Sequence, residues 1–451
     1  MINKTIKSKD FSNGNIIYQM IKLAVPMTLA QLINVLYNIV DRIFIGKIPN
    51  NATESLIGLG ICFPIITIVI AFANFIGMGG APLFSIERGK GNRKEAEYIL
   101  GNSFILLIFI GIFLTISIFI FKRPLLYFLG AGENTYIYAD SYMSYYLIGT
   151  IFVTISLGLN SFINAQGFGN VGMITVLIGA VINIILDPIF IFKFKLGVEG
   201  AAIATVIAQF LSAVWTFSFL IGKRTEYKIK ISKMRLSLKR IRRILFLGFA
   251  GFIMNVTNSC VQMSCNINLK IYGGDIYIGA MTVINSIREV ISMPVCGLTN
   301  SAQPILGYNY GAKKYKRVKE CIKYMSSALI VYTLIAWIIV FVFPSELISI
   351  FNSDVDLLKA GVPSMHIYFF GFCMMALQFS GQTVFSSLGK SGRAIFFSIF
   401  RKIIIVVPLI FILPRIGNLR IVGVFLAEPI SNFIGGIACF TTMILTIYKK
   451  L

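Results

Sequence analysis

The chain has 451 residues, 57% hydrophobic and only 13% charged, with a mean hydropathy of +0.82. A soluble domain carries roughly 25% charged residues, so a water-soluble globule is excluded, and the short alternating strands that a membrane β-barrel needs are absent. The formal net charge of +23 does not point to nucleic acid, because Lys and Arg crowd into a few loops between apolar runs, as the positive-inside rule requires of cytoplasmic segments.

Twelve apolar runs are each long enough to cross a bilayer. They lie at about 16–45, 54–80, 98–121, 137–163, 171–193, 199–221, 244–272, 277–303, 321–343, 360–386, 394–414 and 421–447. The first run is too long for a signal peptide and lacks a small-residue cleavage site, so it is expected to stay attached. Basic loops follow spans 2, 6 and 8, and Lys449 and Lys450 end the chain. An even span number then puts both termini in the cytoplasm. The seven cysteines are scattered through apolar segments with no metal-ligand or disulfide spacing.

Spans 1–6 and 7–12 read as two copies of one unit. PLFSIERGKGNRKEA (Pro82–Ala96) follows span 2, and PILGYNYGAKKYKRV (Pro304–Val318) follows span 8. FGNVG ends at Gly172 after span 4, and LGKSG ends at Gly392 after span 10. Pro188 of span 5 pairs with Pro408 of span 11, and Gly200 opens span 6 as Gly423 opens span 12. The expected fold is an all-α membrane protein of two pseudo-symmetric six-helix bundles. A lobe over 1–222 leads through a basic cytoplasmic linker, 223–243, to a lobe over 244–451. The polar linker is expected to accept insertions better than the helices. Parallel repeats of this kind bind substrate between the halves and alternate access by rocking.

Ionisable residues at membrane depth are costly and so mark function. Span 1 carries Tyr37 and Asp41 four residues apart, hence on one helix face, with Asn34 a turn below. Asp41 has a second reading, in which it pairs with Arg42 or lies at the headgroups. Span 5 carries Asn183 and Asp187, again four apart. Pro188 removes the helical hydrogen bond to the Ile184 carbonyl, leaving an acceptor beside the carboxylate. Thr205 enters span 6 at a similar depth. Three helices thus bring oxygen ligands to one level, suited to a proton or a small cation. The C-terminal half lacks these acids, since Asp187 becomes Val407 and Thr205 becomes Glu428. Span 7 offers Asn255, Asn258 and Gln262. Glu289 in span 8 either pairs with Arg288 or meets a cationic substrate, and Glu428, before Pro429, has the same two readings. His366, the only histidine, reads as a packed residue or a proton relay, and Arg401 and Lys402 as side chains that snorkel to the cytoplasm.

Pro26 and Asp41 in span 1, PLFSIERGKG after span 2, INIILDPIF around Asp187, GVEGAAIATVIAQ (Gly197–Gln209) and QPILGYNYGAKKYKRV (Gln303–Val318) together resemble the multidrug and toxic compound extrusion (MATE) transporters. The resemblance runs nearly the whole length. It implies two six-helix bundles around a cleft and drug efflux driven by inward Na⁺ or H⁺. In the branch with an N-lobe cation site, the implied network falls here on Tyr37, Asp41, Asn160, Asn183, Asp187 and Thr205. Asn160 lies lower than the others by depth. Other branches place acids on the seventh and tenth helices. Here span 7 has none, and span 10 offers Gln378, Gln382 and His366.

The reading is therefore a cation-coupled (H⁺ or Na⁺) multidrug antiporter, not an enzyme, exporting amphipathic organic cations from a bacterial plasma membrane. It implies a monomer in contact with membrane lipid, no nucleic acid, no cofactor beyond the coupling ion and no structural metal. Na⁺ is a candidate ligand of Asp41 and Asp187. Glu289, Asn255, Asn258 and Gln262 are candidate substrate contacts, with Pro26 and Pro188 as helix kinks. The alternative is a flippase for a lipid-linked saccharide, whose phosphate would call for Arg or Lys in the cavity; a membrane enzyme lacks a catalytic constellation.

Overall fold

The computed structural model describes residues 10–49, 52–351 and 354–451. Among them the regular structure is all helical. The helices are α1 (Ile16–Ile45), α2 (Ala52–Gly89), α3 (Arg93–Phe128), α4 (Glu133–Ala165), α5 (Gly169–Pro188), α6 (Gly197–Ile221), α7 (Leu238–Gly311), α8 (Tyr315–Val342), α9 (Pro344–Ser349), α10 (Val355–Phe369), α11 (Phe372–Ser387), α12 (Ser391–Ile399), α13 (Val407–Ile412) and α14 (Arg420–Thr446).

Ten helices are long and apolar enough to cross a membrane, and α10 with α11, bent by 45°, makes an eleventh candidate. The 74-residue α7 is two arms meeting at Gly274, whose φ of 72° and ψ of −169° are non-helical. A backbone of that kind favours glycine. Counting α7 twice, the described residues make the twelve crossings expected from hydropathy. Several helices outrun their apolar cores, as α2 does by continuing to Gly89 past the expected end at 80. The extra turns of α2 mix buried apolar residues, Leu83, Phe84 and Ile86, with the charged Glu87 and Arg88. The tenth expected span is broken, because the helix bends between Phe369 and Phe372.

By packing, the chain divides into two compact units. One holds Asp10 and Val25–Gly248, the other Phe11–Ala24 and Phe249–Leu451. The segment Phe11–Ala24 thus groups with the second half rather than with the residues that follow it. Its backbone is fixed there by Asn309 Nδ2, which donates to Phe11 O at 3.1 Å, and by Arg317 Nη1, which donates to Gly14 O at 3.0 Å. The division falls just before Pro26, the proline inside α1.

The first unit is built on α4, whose small residues admit its neighbours. A Cβ on Gly149 would meet Val206 of α6 at 2.8 Å, and one on Gly158 would meet Leu107 of α3 at 2.3 Å. The duplication is visible in the backbone. Pro188 ends α5 and leads into a π-helical turn, Ile189–Lys193. In the second unit a π-helical segment, Phe400–Val406, runs up to α13 and Pro408. A Cβ on Gly200 would lie 2.7 Å from the Phe190 carbonyl carbon, and one on Gly423 would lie 2.7 Å from that of Leu413. The paired prolines and glycines therefore solve the same packing problem twice.

Segment 223–243 is held against the first unit rather than hanging free. Buried Asn102 donates from Nδ2 to Arg235 O and accepts from the Ser237 backbone N–H, both at 3.0 Å. Glu95 receives Arg240 at 2.9 and 2.8 Å, and Lys230 reaches Glu97 at 2.9 Å. Tyr227 is buried edge-on to Phe84. Part of the charge of this segment is thus paired with α3.

Candidate functional site

In the first unit α1, α5 and α6 converge on two carboxylates. Asp41 is 8% exposed and Asp187 fully buried. Their carboxyl groups lie within hydrogen-bonding reach of one another. Asn183 Nδ2 donates to Asp187 Oδ1 at 3.1 Å and to Thr205 Oγ1 at 3.3 Å, tying α5 to α6. Tyr37 is close enough to feel both aspartates. Among the described residues, Asp41 Oδ1, Asp187 Oδ2 and Asn183 Oδ1 are buried without a hydrogen-bond partner.

Among the described residues no base forms an ion pair with either acid. Asp41 has no ion pair within 4.0 Å among the described residues, and Arg42 is exposed and lies over the Phe63 ring at 5.1 Å. The pairing of Asp41 with Arg42 is thus set aside. Two buried carboxylates side by side repel, and each unpaired charge is costly away from water. A positive charge placed between them removes both penalties. A proton gives a carboxylic acid hydrogen-bonded to a carboxylate. A small cation finds carboxylate, amide and hydroxyl oxygens, the hard donors such ions take. Pro188 adds to the supply, because it has no N–H for the Ile184 carbonyl.

The structure thus joins Asp41, Asp187, Asn183, Thr205 and Tyr37, and leaves Asn160 apart. Asn160 Nδ2 donates to Gly172 O at 3.2 Å, and Gly172 is about four helical turns from Asp187 along α5. Two tyrosines of α4 complete the wall instead. Tyr142 lies near Thr205 and Asp41, and Tyr146 near Tyr37. Their rings stack with centroids 6.0 Å apart. The sequence carried a signal for them in YMSYY, where two phenols four residues apart share a face of an apolar span.

The second unit has its own cavity, lined by both arms of α7, by Tyr368 of α10, by the π-helical segment and by α14. Asn258 and Gln262 line it, whereas Asn255 and Glu289 are outside and exposed. Arg288 faces it and turns from Glu289 toward Glu428, 4.0 Å away, and toward the Tyr368 ring at 6.0 Å. Glu428 Oε1 also receives Lys402 at 2.8 Å and Arg401 at 3.3 Å. Arg401 and Lys402 are buried, at 6% and 5% exposure, and do not snorkel as expected. The carboxylate of α14 draws both inward from the π-helical segment.

His366 Nε2 lies 3.1 Å from Phe341 O, and its ring packs on Phe341 at 4.7 Å. That is the packed reading. Gln378 and Gln382 donate to Phe397 O and Ala394 O, so their amides fasten α11 to α12.

The MatE family model matches the chain twice, at residues 26–189 and 251–412, one match to each half. The multidrug export protein MepA of Staphylococcus haemolyticus is 25% identical over 94% of this chain and 93% of its own. The MepA of Staphylococcus saprophyticus subsp. saprophyticus is 23% identical over 89% and 88%. A solved structure described as MATE in the bent conformation superposes with a TM-score of 0.91 at 22% identity, covering 97% of this chain and 96% of that one.

Proposed function

The chain belongs to the MatE family of membrane transporters, and from that premise we propose that it is a bacterial multidrug exporter driven by inward H⁺ or Na⁺. The observation that carries this reading is the Asp41–Asp187 pair, buried, unneutralised and backed by Asn183, Thr205 and Tyr37. The likeness to multidrug export proteins supports the cargo class.

The cation is cargo. In one state of the cycle the two carboxylates hold it among neutral oxygens. In another the three helices part, water reaches the acids, and the ion leaves. Drug and ion are linked if only one of them occupies the protein as access changes. The affinity of each state for the ion then sets how far the gradient biases the equilibrium. Asn255 and Glu289, exposed and outside the base-lined cavity, offer polar contacts to an amphipathic organic cation, and Pro26 and Pro188 supply the points about which α1 and α5 move. Cytoplasmic termini fit the placement of the basic loops, and a plasma-membrane location fits export of drug from the cell.

The test is ethidium accumulation by inverted vesicles under an imposed pH gradient or an imposed Na⁺ gradient. One gradient should drive accumulation and identify the ion. Equal accumulation with no gradient of either kind would overturn coupling. The alternative of a phosphate-bearing saccharide lipid asks for deep bases, and the Arg288–Arg401–Lys402 cluster is the feature that speaks for an anion somewhere in the molecule.

A further inference from the structure

The charges in the C-terminal cavity do not balance. Arg288, Arg401 and Lys402 all converge on one oxygen of Glu428, within 4.0, 3.3 and 2.8 Å. Three formal positive charges meet one negative charge. Glu428 is 5% exposed, as deeply buried as Arg401 and Lys402. The nearest further carboxylate is Glu289, exposed and outside the cavity lining. Even when it is counted, the bases are in excess.

A structural ion cluster can join two bases to one acid, but here three bases share one acid oxygen. Surplus buried charge is costly unless something of opposite sign satisfies it. Neutral neighbours meet part of the demand, since Arg401 also donates to Asn432 Oδ1 and Arg288 lies beside the Tyr368 ring. Neither carries a negative charge. Among the described residues, Glu428 Oε1 is the one acceptor of Lys402 Nζ, an ammonium with three donors. Arg288 and Lys402 line the cavity, with Asn258, Gln262 and Asn285 as further donors. Beyond these groups its walls are apolar, formed by Val261, Met281, Val406, Ile410 and Val424.

We infer that this cavity is a binding site for the anionic head group of an amphiphile, a phosphate or a carboxylate, held by Arg288 and Lys402 and followed by an apolar body. An arginine fork suits either oxyanion, and lysine adds a point charge. Glu428 holds the bases apart and aligned, and it weakens the site by its own charge. The site is distinct from the aspartate pair and opposite to it in sign.

The test is calorimetric titration of the purified full chain in neutral detergent with octyl phosphate, octanoate and octyltrimethylammonium, which share one chain length. Octyl phosphate should bind saturably, at least tenfold more tightly than the trimethylammonium compound. Arg288→Gln and Lys402→Gln should each weaken octyl phosphate about tenfold or more. Glu428→Gln keeps an acceptor for Lys402 and removes the opposing charge, so it should tighten binding several-fold, a direction that misfolding does not produce. Binding of the cationic amphiphile as tight as that of octyl phosphate would overturn the inference, as would weakening by Glu428→Gln in a protein that retains its melting temperature. Repeating the titration in nanodiscs of phosphatidylcholine, with and without phosphatidylglycerol, names the source. Displacement by phosphatidylglycerol identifies a lipid head group, and equal binding in both identifies a soluble amphiphile. No transport step enters the measurement, so a failure of cation coupling leaves its outcome intact.

Discussion

Replacing Asp187 by asparagine keeps the side-chain shape and removes the charge. The carbonyl oxygen of the new amide can still accept from Asn183 Nδ2, now 3.1 Å from Asp187 Oδ1. Its N–H₂ can donate to Asp41. The variant should therefore fold, and its melting temperature should match or exceed that of the parent. Two unit charges about 4 Å apart at an effective dielectric of about 20 repel by about 4 kcal/mol. That repulsion is what a bound cation relieves, and the asparagine relieves it permanently. The driving force for taking up a cation then disappears. A tenfold cation gradient supplies about 1.4 kcal/mol per ion and sustains about tenfold drug accumulation at one ion per drug. Asp187→Asn should bring that ratio to about one in inverted vesicles, whichever gradient is imposed. Asp41→Asn should do the same, and the double variant should be no worse, because groups acting as one unit are not additive. Accumulation that persists in either single variant, or losses that multiply in the double, would refute the shared site.

Other parts of the molecule can be tested separately. Asn102→Ala removes the partner of the Ser237 N–H and the Arg235 carbonyl; it should cost about 1–3 kcal/mol and open 223–243, rich in Lys and Arg, to limited trypsin. Gly200→Val and Gly423→Val each drive a side chain into backbone 2.7 Å away, and each should cost at least about 1–3 kcal/mol, read as a lowered melting temperature in detergent. Glu289→Gln, at an exposed position, should leave stability unchanged and weaken export of ethidium-like cations more than of uncharged drugs, measured side by side in one vesicle preparation.

The twelve crossings were legible because hydrophobic run length is set by bilayer thickness, and that property is local in sequence. The aspartate pair was legible for a similar reason. Helical spacing placed Tyr37 with Asp41 and Asn183 with Asp187 on common faces, and depth brought Thr205 level. What depends on which helix lies beside which was not legible. Tyr142 and Tyr146 are ordinary aromatic residues of an apolar span until α4 is packed against α1 and α6. Arg401 and Lys402 looked like side chains reaching for water, because nothing in one span reveals that a carboxylate waits on another. The partners of segment 223–243 were hidden on the same ground, since they lie on α3, far away in sequence.

The duplication makes the difference between the halves informative. Both halves carry a proline and a π-helical turn in their fifth crossing, and both press the next crossing against it with a glycine. Wide π turns inside α-helices frequently mark functional sites. In the first half that stretch carries an acid, Asp187, and the following crossing answers with the neutral Thr205. In the second half the stretch carries two bases, Arg401 and Lys402, and the following crossing answers with an acid, Glu428, at the position equivalent to Thr205. One backbone device has thus been given opposite charges. The first unit gathers acids and neutral oxygens beside its turn, and the second gathers bases around one acid, so equivalent parts of the repeat have come to hold opposite charge.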